Sequence, residues 1–431
     1  MPVSITEHTE EFITLELKIP FSRSMIDSES VIQDTLNEAG SLSTGALLKH
    51  FDTEGLPLML GSVKLTSMGL VPKYYQTPYG PTQVERHVYQ TAEGGATFCP
   101  LEKEARIILT ATPRFASQVS HKMANQSCAS VKEDFEVNHG RKVSKNVVQR
   151  LTDVVSSVVQ LKEESWNYTV PSIEEHEVST VSIGLDGTCM LMCDGGYRQA
   201  MVGTIALYDS EGKRQHTTYI AASPEHGKST FKTRLSREIN RAKQLYPDAD
   251  TMGVADGAHD NWSYLEQYTN RQVLDFYHAT EYLTKVADAL FPSSAKKRNA
   301  WLDSRCHELK HTQGAAETIL TEMKVAKEEQ KLSKKRLTSV DEAITYFQNN
   351  IEKSRMNYAE HVANNQPIGS GVTEAACKTI VKQRLCQSGM KWKEKGAAMI
   401  LSLRALVKST GRWQQFWRKI NQYGFPVQNF T

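Results

Sequence analysis

The seven cysteines of this 431-residue chain include no CxxC pair, and their number is odd. Scattered from Cys99 to Cys386, they suit neither a disulfide framework nor a zinc ribbon, and the expected compartment is reducing and cytoplasmic. No apolar run approaches the roughly 18–20 residues that a membrane span needs. The best, from Ala397 to Val407, is short and broken by Arg404, so no membrane partner is expected. A basic stretch followed by an apolar one is also missing near Met1, where Glu7, Glu10 and Glu11 stand instead, and no secretory signal is expected. Nor does one sign of charge dominate: 51 Lys and Arg against 49 Asp and Glu leave +2. What is there is apolar material, 39% of residues, enough for sizeable cores and too much for a largely disordered chain. The length suits two or three domains.

The near-neutral total hides an asymmetry. Residues 1–80 hold ten acids and five bases, whereas residues 375–431 hold eleven bases and the single acid Glu394. Trp392, Trp413, Phe416 and Trp417 are interleaved with those bases. Clustered Lys and Arg neutralise phosphates and release counterions, so a polyanion is the expected partner of this end; a solvated amphipathic helix is the alternative.

Along the chain, residues 1–112 form an acidic, then Tyr- and Pro-rich region with one expected hairpin, Gln83 to Tyr89 with Ala96 to Cys99, and no evident chemistry. Residues 113–165 read as three helices: 113 to about 126, about 128 to 137, and a third capped by Ser144. In the third, Val147, Leu151, Val154, Val155 and Val158 recur at helical spacing, which leaves Lys145, Asn146 and Gln149 facing away. That pattern matches a helix-turn-helix presenting its recognition helix, or any small three-helix packing element. Residues 166–290 show strands at 180–186, 200–208 and 216–222, a helix at about 229–245, and strands at 251–255 and 272–276. Three strands in meander followed by strand–helix alternation is the order of an α/β ribonuclease-H-like core. Residues 291–366 lack strand character. Leu337, Val340, Ile344, Phe347 and Ile351 form a heptad seam, and Ala316, Leu320, Met323 and Ala326 a second stripe, so an all-α hairpin inserted into the core is expected there. Residues 367–431 return to the core and carry the basic end.

Three carboxylates stand where chemistry could sit: Asp186 in Gly-Leu-Asp-Gly-Thr, Asp256 in Val-Ala-Asp-Gly-Ala, and Glu374 in Gly-Ser-Gly-Val-Thr-Glu. The first two are expected at the C-terminal ends of strands, where α/β sheets build their sites, and the third in the first turn of a helix. Hard divalent cations take oxygen ligands, and two of them can serve both the attacking and the leaving oxygen of a phosphodiester. Each acid alone also has an ordinary explanation, a strand-end turn for Asp-Gly or a helix-end charge for Glu.

From about Ser179 onward the chain resembles the DDE transposases of bacterial insertion sequences, specifically the ISKra-type family, related to the mutator-like group. The resemblance is carried by Leu185-Asp186-Gly187-Thr188, by Ala255-Asp256-Gly257 and by Asp275-Phe-Tyr-His278-Ala-Thr-Glu281. It continues in Ile368-Gly-Ser-Gly-Val-Thr-Glu374-Ala-Ala-Cys-Lys378 and in Gln383-Arg384-Leu385-Cys-Gln-Ser388-Gly389-Met390-Lys391-Trp392. It implies a ribonuclease-H-like fold with a helical insertion, and Asp186, Asp256 and Glu374 as catalytic ligands of Mg²⁺, for which Mn²⁺ can substitute. Related proteins often carry a cysteine-rich ribbon upstream; here only Cys99-Pro100-Leu101-Glu102 remains, and no zinc is expected. Asp275 and His278 resemble a short Asp/Cys-x-x-His motif of mutator-like transposases, an accessory pair or a buried hydrogen-bonded one.

The expected function is that of an insertion-sequence transposase, which binds element ends, cleaves DNA with a metal-activated water and joins the 3′-hydroxyl to target DNA. Lys145, Asn146 and Gln149 would read the ends, and Lys378, Lys382, Arg384, Lys391 and Lys393 would hold phosphates. The expected partner is double-stranded DNA, bound by a homodimer or larger assembly in a cytoplasmic, nucleoid-associated setting. The alternatives are a ribonuclease-H-like nuclease that never joins, and a transposase-derived DNA-binding regulator with a dead site.

Overall fold

The computed structural model describes residues 2–163, 165–170, 173, 177–330 and 332–426. The chain divides into two compact units, Met1–Tyr168 with Arg412–Thr431, and Thr169–Gly411. Among the described residues no helix is long and apolar enough to cross a membrane.

The first unit opens with a hairpin of β1 (Val3–His8) and β2 (Ile13–Leu17). The helix Met25–Lys49 follows, with the Ser24 hydroxyl accepting from the Asp27 N–H. A four-stranded antiparallel sheet comes next, in the order β3 (Leu58–Leu60), β4 (Val63–Gln76), β5 (Pro81–Thr91), β6 (Gly94–Phe98). The hairpin expected around residues 83–99 is β5–β6, with Tyr89 opposite Phe98. Three helices succeed it: Pro113–Asn125, Cys128–His139 and Lys145–Glu163. Phe115 and Phe135 meet at 5.5 Å between ring centroids, and Ser144 caps the third helix by accepting from the Val147 N–H. Val148 rather than Val147 takes the first fully buried place of the apolar stripe. The last helix, Arg412–Tyr423, belongs to this unit, so the second part of the core ends at Gly411 instead of running to 431. Its apolar face decides this: Phe416 packs tilted against Trp166, ring centroids 5.6 Å apart, and Trp413 against His121 at 5.8 Å.

The second unit is built on a five-stranded sheet. β7 (Thr180–Leu191), β8 (Tyr197–Tyr208) and β9 (Arg214–Ala222) form an antiparallel meander, β10 (Asp250–Ala255) lies parallel to β7, and β11 (Arg271–Leu274) parallel to β10. The order across the sheet is β11-β10-β7-β8-β9. Alternation sends Ile183, Met201 and Ile205 to one face, where Phe231, Leu235 and Ile239 of helix Ser229–Leu245 meet them. Ala200, Val202 and Ala221 point to the other, against Ile380, Val381, Ile400 and Leu401. Residues 291–366 supply more than a hairpin: helices Ala295–His311, Ala315–Glu329, Lys334–Ile351 and the short Tyr358–Ala363. Leu309, Ile319, Met323, Phe347 and Tyr358 share one core with the sheet and with Leu274 and Leu283.

Two strand ends differ from expectation. β7 does not stop at Asp186-Gly187; it continues to Leu191 because residues 186–191 pair with Val202 back to Tyr197. β11 ends at Leu274, since Asp275 caps the helix Phe276–Leu290 by accepting from the Tyr277 N–H at 3.2 Å.

The helix Gly371–Ala376 crosses β7 and β8 with Thr373 at the contact. A Cβ at position 184 would overlap Thr373 Oγ1, which also lies 2.7 Å from Thr204 Oγ1. Only glycine leaves room for this approach. Gly184→Ala should therefore lower unfolding stability by about 1–3 kcal/mol, as overpacking a filled core does. Denaturant unfolding would check it, and a wild-type midpoint would show that the helix can shift without cost.

Candidate active site

The register of the parallel pair places two of the three acids. Gly184 of β7 faces Val254 of β10, so two residues further on Asp186 and Asp256 emerge on neighbouring strands. Pairing between these strands ends at Gly184 and Val254, and beyond it Asn261 Nδ2 donates to the Leu185 carbonyl at 3.5 Å. Asp256 follows the last residue of β10, and its Oδ1 accepts from the Ala258 N–H at 3.2 Å. The following Gly257 has φ 108°, a conformation L side chains avoid, and a Cβ there would press on Tyr346. Tyr346, from the helical insertion, donates to the Asp256 carbonyl at 2.9 Å and stacks on Tyr282 at 3.8 Å. The insertion thus holds the loop that carries the second acid.

Glu374 arrives from the opposite face. Thr373 seats its helix on Gly184, and Cys377 one turn later donates its thiol to Asp186 Oδ2 at 3.4 Å. Burial, with Asp186 beside it, pushes the Cys377 thiol up, so it remains a neutral donor. A π-helical turn, Cys377–Lys382, then widens the helix. Such turns leave carbonyls short of partners, and here the buried Arg404 guanidinium donates to the Thr379 carbonyl, Nε at 2.7 Å. Burial brings Arg404 down to about 10.

Asp275 and His278 form a close pair, Nδ1 to Oδ2 at 2.6 Å. Asp275 is 1% exposed, and its oxygens also accept from the N–H groups of Tyr277 and Ser370 and from the Ser370 hydroxyl. Burial alone would raise its carboxyl, yet these donors, His278 foremost, hold it below the usual range. Burial would lower the His278 imidazole, and Asp275 instead holds it above its ordinary value. Among the described residues, the His, Cys, Asp and Glu ligand atoms that gather three together within 4.8 Å are those of Asp275, His278 and Glu374. Asp186 and Asp256 stand outside that tight group.

The donor chemistry fits a hard cation better at Asp256 and Glu374 than at Asp275, whereas each Asp186 oxygen accepts one hydrogen bond, Oδ1 from the Gly187 N–H at 2.6 Å and Oδ2 from Cys377. Four hydrogen bonds occupy the two Asp275 oxygens, which makes it an anchor. Among the described residues Asp256 Oδ2 and Glu374 Oε2 accept no hydrogen bond, so the two acids keep oxygens to offer. Asp275 is accordingly unsuitable as a neutral control, whereas the exposed Asp260 suits that use.

The basic residues divide. Lys378, Lys382, Lys391 and Lys393 are exposed. Arg384 is 3% exposed with its guanidinium 5.4 Å from the centre of the Trp392 ring, so it packs the core instead of facing phosphate. Trp392 is a structural residue too: its Nε1 donates to the Leu385 carbonyl at 2.8 Å, and its backbone bridges the end of β7. In the first unit Lys145, Asn146 and Gln149 are all exposed, but Gln149 donates to Asp153 Oδ1 at 2.8 Å along its own helix.

Ser370, Thr373, Cys377 and Tyr346 were not singled out from the sequence. The first three lie inside the 368–378 motif, where their spacing from Glu374 could have drawn notice; Tyr346 has no local signature.

The Asp275–His278 pair carries a signed pH dependence. A raised imidazole contributes stability below its ordinary value of about 6.5 and loses it as pH rises through the folded value. A lowered carboxyl contributes above about 3.9 and loses it as pH falls. The stability deficit of His278→Gln, read by urea unfolding from about pH 5 to pH 9, should be largest at the acid end and shrink toward alkali. A deficit that stays constant would mean that the pair is not ionic.

A scan against protein-family models and a search among curated proteins find no match for the chain, so its functional reading rests on this geometry.

Proposed function

We propose that the chain is a DNA transposase of an insertion sequence, with Thr169–Gly411 as a ribonuclease-H-like catalytic unit. One observation carries the proposal: the β7–β10 register brings Asp186 and Asp256 out on adjacent strands, and Thr373, the neighbour of Glu374, rests on Gly184 two residues before Asp186. The sheet order, a three-strand meander extended by two parallel strands, supports the fold assignment. Asp186, Asp256 and Glu374 would hold Mg²⁺, or Mn²⁺ in its place, which supplies charge to activate the attacking oxygen and stabilise the leaving one.

The chain's own side chains do the rest. Lys378 and Lys382, exposed on the helix after Glu374, offer cations to the phosphates, and Lys391 and Lys393 extend that charge. In the first unit Asn146 is the residue best suited to a base edge, since Gln149 is already bonded to Asp153. Water opens the element end to a 3′-hydroxyl and a 5′-phosphate; that hydroxyl oxygen then bonds to a target phosphorus as the target's own 3′-O–P bond breaks, releasing a target 3′-hydroxyl. Two ends must be brought together, which calls for a homodimer or larger assembly on DNA in the nucleoid.

Replacing Asp186, Asp256 or Glu374 by Ala should abolish strand cleavage and strand transfer while end binding persists in calcium or EDTA. Asp260→Ala should remain active. A Glu374→Ala protein that still joins ends would reject the triad. Cleavage without joining by the wild type would favour a nuclease, and binding with neither reaction a regulator.

Asn146→Ala should cost about 1–3 kcal/mol of preference for the element end over random DNA, measured as the ratio of affinities at fixed salt. Equal weakening on both DNAs would remove Asn146 from base recognition.

A further inference from the structure

The Ile368-Gly-Ser-Gly loop before Glu374 is tied to the end of β11. Phe276 N–H donates to the Ile368 carbonyl at 3.0 Å, and the Ser370 N–H to Asp275 Oδ1 at 3.2 Å. Asp275 N–H in turn donates to the carbonyl of Ala255, the residue before Asp256, at 2.9 Å. Ser370, 8% exposed, sits between two carboxylates: its Oγ is 2.8 Å from Asp275 Oδ2 and 2.9 Å from Glu374 Oε1. A hydroxyl has one hydrogen, so it can donate to only one of them at a time. Asp275 has three other donors, whereas among the described residues Glu374 has only this one.

We propose that Ser370 is the positioning residue of the third acid: its O–H holds Glu374 Oε1 and leaves Oε2 for the cation, while Asp275 fixes Ser370. The proposal rests on Glu374 being a cation ligand. The hydrogen can serve Glu374 because Asp275 keeps three other donors, so neither carboxylate is left unsatisfied. Asp275 reaches Glu374 through Ser370 and holds it in place without touching substrate.

The test measures Mn²⁺ binding to the full chain by calorimetry, without DNA, alongside the Mg²⁺ concentration that half-saturates cleavage. Ser370→Ala should weaken Mn²⁺ binding by about 10–100-fold, as loss of a residue supporting a metal ligand does, and raise the Mg²⁺ requirement in parallel. Saturating Mg²⁺ should restore much of the rate, and Ser370→Thr, which keeps the hydroxyl, should restore the affinity. Asp275→Asn, which weakens the anchor that accepts from the Ser370 N–H and adjoins its hydroxyl, should weaken binding in the same direction and serves if Ser370→Ala folds poorly. Wild-type Mn²⁺ affinity in a folded Ser370→Ala protein, with Glu374→Ala deficient, would overturn the role of Ser370 alone. Unchanged Mn²⁺ affinity in Glu374→Ala would overturn the reading of the site and this inference with it.

Discussion

The seat of Thr373 on Gly184 is the contact on which the second unit depends. A missing Cβ in the middle strand lets a helix from the far end of the chain lie directly on the sheet, with Thr204 and Thr373 satisfying one another beneath it. Everything after it follows from that placement: Cys377 reaches Asp186, Glu374 stands one residue from the contact, and the helix continues into a widened turn braced by Arg404. A bulkier residue at 184 would move all of these together, because packed interiors shift as bodies.

Each acid is held by an element distant from it in sequence. Asp256 owes its loop to Tyr346 of the insertion, Asp186 a hydrogen bond to Cys377, and Glu374 a hydrogen bond to Ser370, itself fixed by Asp275. The helices of residues 291–366 therefore serve the site while sharing their core with the sheet.

Burial separates structural charge from available charge. Arg384 and Arg404 belong to the basic end of the sequence, yet both are buried with aromatic or hydrogen-bonding partners, and Asp275 is buried against His278. The lysines around them are exposed, in keeping with the tendency of an ammonium to stay hydrated while guanidinium tolerates packing on aromatic rings. Trp392, Trp413 and Phe416 likewise pack instead of lining a groove.

The sequence by itself determined the elements whose signals are local. The strands of the second unit, the helices at 113–163 and the apolar stripes at 316–326 and 337–351 could be placed from alternation, helical spacing and caps such as Ser144 and Gly140. Helix Met25–Lys49 was missed although Ser24 and Asp27 mark its start, because its apolar residues form no clear stripe. Only the tertiary structure decided what depends on partners far along the chain. Pairing with β8 carried β7 past Asp186-Gly187, and aromatic contacts with Trp166 and His121 drew the last helix into the first unit. The Ser370 link between Asp275 and Glu374 spans 95 residues on one side and four on the other. Short-range patterns report the periodicity of an element, whereas a buried hydrogen bond requires that folding first bring its two ends together.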